Sequence, residues 1–197
     1  MLSRNMTQNV HLIIEQHLKM WGKQNLTAMD GTLGNGHDLE FLNGLEQVST
    51  IYGFDIQPAA IEESSKKVKE SHKAVHLILD SHHYVNTYIE GEIDIALFNL
   101  GYLPGADKSI VTRTETTLKA LEEVMSKLSD GGLLAVMTYP GHEEGMREHE
   151  SIEDYLATYT IKEFSILHLN VTNVKKSCPN CFLIIRKNNT NVNLYID

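Results

Sequence analysis

The sequence predicts a doubly wound α/β sheet, and three observations carry that prediction. Short apolar runs of strand length alternate with segments whose apolar residues recur every three or four positions. Three of the runs end in a polar residue at a loop: Asp30, Asp80 and Asn99. A glycine-rich turn follows the first run, and in such sheets ligands bind beyond the carboxyl ends of the strands, where the strand order switches.

Between Asn9 and Met20, Val10, Leu12, Ile13, Ile14, Leu18 and Met20 fall at helical spacing, which predicts an amphipathic helix lying on the sheet. Leu26 to Met29 reads as a buried strand that runs through Asp30 into Gly31–Asp38, with a second helix beginning near Gly36. Ser49 to Ile56 is strand-like, and Pro58 suits the first turn of a helix reaching about Ser71. Val75–Leu79 and Ile93–Phe98 are further strands. Thr112 to Leu128 is helical, with Leu118, Leu121, Val124, Met125 and Leu128 on one face, and Asp130-Gly131-Gly132 turns the chain into a strand over Leu133–Tyr139. A loop over Pro140–Gly145 leads to a helix near Ile152–Tyr159. Glu163–Asn170 and Phe182–Lys187 then read as a terminal antiparallel pair.

The 197 residues, 42% of them apolar, suit one domain spanning residues 1–197, with residues 1–22 as an N-terminal helical segment on the sheet and 188–197 as a loose polar tail. A net charge of −9 excludes a protein that coats polyanions by bulk charge, so any nucleic acid must meet a local basic patch. No run of about 18 apolar residues and no apolar export block occurs, which leads us to expect a cytoplasmic protein that does not span a membrane. Two cysteines in such a chain fit a reducing compartment.

The polar strand ends suggest a nucleoside site. Gly34 and Gly36 put small residues where backbone approaches a ligand, and Asp55 lies about twenty residues beyond, the position of a carboxylate that grips ribose hydroxyls. The turn is a poor dinucleotide fingerprint, because Leu39 stands where the third small residue belongs and Asp30 and Asp38 would repel a pyrophosphate. A cofactor without phosphates, bearing a sulfonium and an amino-acid tail, turns that acidity to use. S-adenosylmethionine is such a molecule. In this reading Asp55 binds the ribose, with Gln57 close behind it. Asp30, Asn35 and Asp38 surround the methionine end, and Asp80 or Ser81 approaches the adenine with His82 nearby.

Asn99-Leu100-Gly101-Tyr102 follows the fourth strand and is similar to the Asp/Asn-Pro-Pro-Tyr/Phe motif of amine methyltransferases, with Leu100 and Gly101 in place of the prolines. Methyl transfer from a sulfonium needs a neutral nitrogen lone pair aimed at the methyl carbon, so the enzyme's task is to position and desolvate. The Asn99 oxygen and loop carbonyls can accept the amine's N–H groups, and the Tyr102 ring can stack on a flat base.

Four segments, DGTLGNGHD (Asp30–Asp38), FDIQ (Phe54–Gln57), FNLGYLPGADK (Phe98–Lys108) and YPGHEEG (Tyr139–Gly145), resemble the signatures of a small bacterial family long labelled rRNA methylases. Members are assigned as tRNA methyltransferases that methylate 5-aminomethyl-2-thiouridine at the wobble position. The resemblance spans roughly Ala28 to Lys187; Gly31 and Leu33 depart from the common Asp-Ala-Thr-Ala-Gly-Asn-Gly-His-Asp. It implies a class I, Rossmann-like methyltransferase fold, S-adenosylmethionine, a tRNA anticodon stem-loop substrate and a homodimer.

Lys108, Arg113 and Arg147, with His142 and His149 beside them, are the basic residues near the expected mouth and are candidate phosphate contacts. His11, His17, His72, His76 and His168 read as surface or packing residues, and His37 as a residue near the site. Lys66, Lys67, Lys69 and Lys73 read as a solvated helix face. Cys178-Pro179-Asn180-Cys181 has no second cysteine pair to complete a zinc site, so no metal is expected. Three other readings stay open: an N-methyltransferase for rRNA, a small amine or a protein side chain; a nicotinamide-dependent reductase; and a nucleoside-binding regulator.

Overall fold

The computed structural model describes residues 5–101, 114–173 and 178–187. Within them, strands β1 (Leu26–Asp30), β2 (Val48–Asp55), β3 (Ala74–Leu79), β4 (Ile93–Asn99), β5 (Leu128–Thr138), β6 (Phe164–Leu169) and β7 (Asn180–Arg186) form one sheet in the order β3-β2-β1-β4-β5-β7-β6. β1 to β5 are parallel to one another, and β7 runs antiparallel between β5 and β6, so the terminal pair closes one end of the sheet. The chain steps outward from β1 to β3 and then crosses back to β4 on the other side of β1. That reversal places a crevice at the carboxyl ends of β1 and β4, where Asp30 and Asn99 stand.

The alternation of side chains along each strand feeds two cores. On β4, Ile95 and Leu97 face one layer while Ala96 and Phe98 face the other. The first layer holds α1 (Met6–Trp21), α2 (His37–Gly44) and α3 (Pro58–Lys67); the second holds α4 (Val85–Tyr88), α5 (Thr114–Lys127) and α6 (Glu143–Leu156). Met6, Val10, Ile14 and Leu18, at steps of four, bury the inner face of α1. Asn5 caps the start by accepting from the Gln8 N–H, and Gly22 ends it in the left-handed region at φ 72°.

Three expected boundaries are corrected. The third helix stops at Lys67, short of Ser71. The strand expected from Leu133 begins at Leu128: the Asp130-Gly131-Gly132 turn is a bulge within β5, with Ile93 opposite Leu128 and Ile95 opposite Leu133. Asp94 anchors the bulge by accepting from Lys23 Nζ and Ser129 Oγ. The sixth helix begins at Glu143 instead of near Ile152, because His142 caps it, Nδ1 accepting from the Gly145 N–H at 3.1 Å.

Ile14 is fully buried beneath α1. Ile14→Ala is expected to destabilise the protein by about 2–5 kcal/mol, read as a lowered urea midpoint at unchanged slope. An unchanged midpoint would mean that α1 is not part of the cooperative fold.

Candidate active site

The turn after β1 is built by its own backbone and by Asp55. Gly36 sits at φ 71°, where a Cβ would also meet Ser64 Oγ at 2.9 Å, so the residue heading α2 has to be glycine. Asp55 Oδ2 accepts from the Gly34 N–H and Oδ1 from the Gln57 N–H, both at 2.9 Å, which ties the glycine turn to the end of β2. Each oxygen keeps a further lone pair. Asn35 is exposed at the tip of the turn.

Asp30 is fully buried. Its Oδ1 accepts from the Thr32 N–H at 3.0 Å, and its Oδ2 has no partner among the described residues. Burial, then the charge of Asp38, pushes its carboxyl well above the usual carboxylate range, and Asp55 adds to the effect. A cation at Oδ2 would relieve all three costs.

At the end of β3, Asp80 Oδ1 accepts from the Ser81 N–H at 2.7 Å and Oδ2 from the Tyr88 hydroxyl at 2.8 Å. His82 turns inward, its ring edge-on to Phe98 and its Nδ1 donating to the Gly31 carbonyl at 3.0 Å. Burial lowers its pKa to about 4, so the ring is neutral and Nε2 is a bare acceptor, buried without a partner among the described residues. Gly31 packs tightly there: a Cβ would come within 2.5 Å of the Phe98 ring, which would have to shift to admit one.

Asn99 closes the crevice. Its backbone N–H donates to Thr32 Oγ1 at 2.7 Å. Its Nδ2 donates to Asp38 Oδ2 at 3.3 Å, and its Oδ1 accepts from the Tyr139 hydroxyl at 2.6 Å. Asp38 Oδ1 is engaged by His11 Nε2 at 2.7 Å. The structure thus gathers Asp30, Asp38, Asp55 and Asn99 around one glycine turn. The Leu100 side chain belongs to the core, so the residue can offer a ligand only its backbone; Gly101 follows at φ 119°. Tyr102, Lys108 and Arg113 lie outside the described residues.

The remaining candidates divide. His142 is exposed and serves as a helix cap; Arg147 is exposed and pairs with Glu144 at 3.7 Å along α6. His149, expected at the mouth as a cation, is buried instead, its Nδ1 on Thr138 Oγ1 at 2.8 Å and its ring against Phe182. Burial, then His168, lowers its pKa, and its ring is turned away from the mouth into the core. Lys66 and Lys67 pair with Glu62, Glu63 and Glu40, whereas Lys73 is a structural tie that donates to the Leu45 and Val48 carbonyls. Cys181 lies in the core, where burial pushes its thiol up to about 12. His11, Thr32 and Tyr139 are site residues that sequence reasoning missed. Thr32 and Tyr139 carried signals, the first inside the glycine-rich segment and the second at the end of the strand next to β4, and His11 carried none.

Residues 51–186 match the model of the family described as "Putative rRNA methylase". The chain belongs to that family. It is similar to a crystal structure of a "putative rRNA-methylase from Clostridium thermocellum" (33% identity, TM-score 0.86, 94% of this chain and 100% of that one). A Streptococcus mutans methyltransferase in complex with SAH matches at 31% identity and TM-score 0.82, over 94% and 99% of the two chains. The "tRNA (mnm(5)s(2)U34)-methyltransferase, chloroplastic" of Arabidopsis thaliana is 29% identical over 92% of this chain and 70% of its own length. The protein is therefore an S-adenosylmethionine-dependent methyltransferase of the class I fold, and the reductase alternative falls. The crevice fits that cofactor: the orphaned Asp30 oxygen calls for an ammonium, and Asp55 retains acceptors for hydroxyls.

Because its folded pKa is raised, Asp30 holds its proton to higher pH than in the unfolded chain. Asp30's contribution to stability is thus full below the ordinary aspartate range, about pH 4, and is lost as pH rises through the raised value. Asp30→Asn is expected to stabilise the cofactor-free protein at neutral pH by roughly 1–3 kcal/mol, with the gain vanishing in acid, while calorimetry shows weakened S-adenosylmethionine binding. A variant that is less stable at neutral pH, or that binds normally, would contradict this assignment.

Proposed function

We propose that the protein methylates the aminomethyl group of 5-aminomethyl-2-thiouridine at the tRNA wobble position, giving 5-methylaminomethyl-2-thiouridine. The observation that carries this reading is Asn99. Its amide is fixed at the carboxyl end of β4, beside the turn that suits the cofactor, with Oδ1 still able to accept one more hydrogen bond. The Arabidopsis relative's name supports the substrate.

When bound, S-adenosylmethionine supplies an electrophilic methyl group on a sulfonium. Asp30 holds the ammonium of its amino-acid tail, Asp55 the ribose, and Asp80, Ser81 and His82 line the adenine side, with Gln57 close to the ribose carboxylate. Asn99 Oδ1, with the Leu100 and Gly101 carbonyls, accepts N–H bonds from the neutral target amine, which leaves the lone pair free to attack. Tyr102 stacks on the base. Lys108, Arg113 and Arg147 contact phosphates of the anticodon stem-loop, and His142 stands with them. We read the chain as one methyltransferase domain acting in the cytoplasm as a homodimer. No described helix is long and apolar enough to cross a membrane.

The test uses tRNA from cells lacking the gene, incubated with enzyme and labelled cofactor, then digested to nucleosides. Label is expected in 5-methylaminomethyl-2-thiouridine. Asn99→Ala is expected to lose at least about a hundredfold in turnover with cofactor affinity kept, the scale of lost orientation. Label confined to ribosomal RNA, a small amine or protein would defeat the substrate and leave the methyltransferase standing. Normal turnover in Asn99→Ala would reduce the motif to a turn.

A further inference from the structure

The amide of Asn99 is gripped at both ends by groups that the methyl-transfer reading leaves unused. A carboxylate accepts hydrogen bonds and donates none. Asp38 Oδ2, 3.3 Å from Asn99 Nδ2, therefore decides which end of the amide is which: turned over, the amide would set its oxygen against the carboxylate. Tyr139, whose hydroxyl lies 2.6 Å from Oδ1, holds the other end. Burial, then Asp38's charge, raises the Tyr139 pKa, so the hydroxyl keeps the proton it donates.

Asp38 is itself held from behind. Its Oδ1 accepts from His11 Nε2 at 2.7 Å, and the His11 ring lies flat on Phe41, 3.7 Å between centroids and 2° between planes. His11 is carried on α1, whose inner face is locked by Val10 and Ile14 on either side of it. Four separated parts of the chain, α1, α2, the end of β4 and the residue after β5, thus converge on one side-chain amide.

We propose that His11 and Tyr139 are positioning residues for methyl transfer, acting through Asp38 and Asn99 so that the Asn99 oxygen faces the target amine with one lone pair open. The proposal rests on the reading that Asn99 receives that amine. The relay does two things. It removes the rotational choice that an isolated asparagine would have to give up at each turnover. It also places a fixed negative charge behind the amide, which strengthens Oδ1 as an acceptor while positive charge builds on the amine nitrogen during transfer.

The test compares His11→Ala, His11→Gln and Tyr139→Phe in the full chain. Turnover on aminomethyl-bearing tRNA is expected to fall at least about tenfold in His11→Ala and Tyr139→Phe, with KM for tRNA and calorimetric affinity for the cofactor unchanged. His11→Gln, whose Nε2–H can still donate to Asp38, is expected to recover most of that loss. A second readout needs no substrate: in protein labelled with nitrogen-15 at asparagine, the Asn99 side-chain amide, identified by its loss in Asn99→Ala, shifts in His11→Ala and returns in His11→Gln. Should the wild type leave aminomethyl-bearing tRNA unlabelled, the substrate reading has failed, and the amide signal then decides the relay alone. An amide unmoved in His11→Ala and Tyr139→Phe overturns the proposal, and so does an amide that moves while turnover stays normal.

Discussion

Three carboxylates share one glycine turn, and that crowding of like charge governs the rest of the site. Each is held in a different way. Asp55 spends its hydrogen bonds on the backbone of the turn and on Gln57, and Asp38 is bracketed by His11 and Asn99. Asp30 alone is left buried with an unpaired oxygen and a carboxyl pushed toward its neutral form. A pyrophosphate in this crevice would meet repulsion from Asp38 and Asp55, whereas a ligand carrying an ammonium and a sulfonium is drawn in by the same field. Leu39 shows the matching adaptation in packing: where a dinucleotide fold needs a small residue, this chain buries a leucine fully against the sheet.

The fold delivers these groups by topology. Crossing back from β3 to β4 opens the crevice between Asp30 and Asn99, and the parallel neighbour β5 brings Tyr139 alongside. α1 then lies over the same layer and reaches toward both ends of the sheet. His11 meets Asp38 at the cofactor end, and His17, six residues and about 9 Å farther along the helix, meets the Gly131 carbonyl in the β5 bulge at 2.7 Å. The apolar face of α1 therefore does more than cover a core; it sets the position of a polar contact at the chemistry.

Strand ends were readable because an apolar run that stops at Asp30, Asp80 or Asn99 marks where a buried strand meets solvent, and the doubly wound pattern says that such ends converge. Long-range polar pairs were not readable in this way. Nothing in the spacing of His11 and Asp38, 27 positions apart on two helices, announces a bond, and the Tyr139–Asn99 contact follows only once β4 and β5 are known to be neighbours. His149 went astray for a local reason. With Gly141 and Gly145 read as loop, His149 fell among charged residues; once the helix starts at Glu143, residues 145, 148, 149, 152 and 156 form one inward stripe and His149 is on it.

The buried Asp30 carboxyl, held well above the ordinary carboxylate range by burial and by the charge of Asp38, gives up its proton more readily when it receives a cationic amino group. Calorimetry of S-adenosylmethionine binding in buffers of different ionisation enthalpy, across about pH 5 to 7 where a free α-amino group is charged, measures that proton directly. Net proton release on binding is expected, growing as the pH falls and absent in Asp30→Asn. Binding heats independent of the buffer throughout that range, or proton uptake, would contradict it.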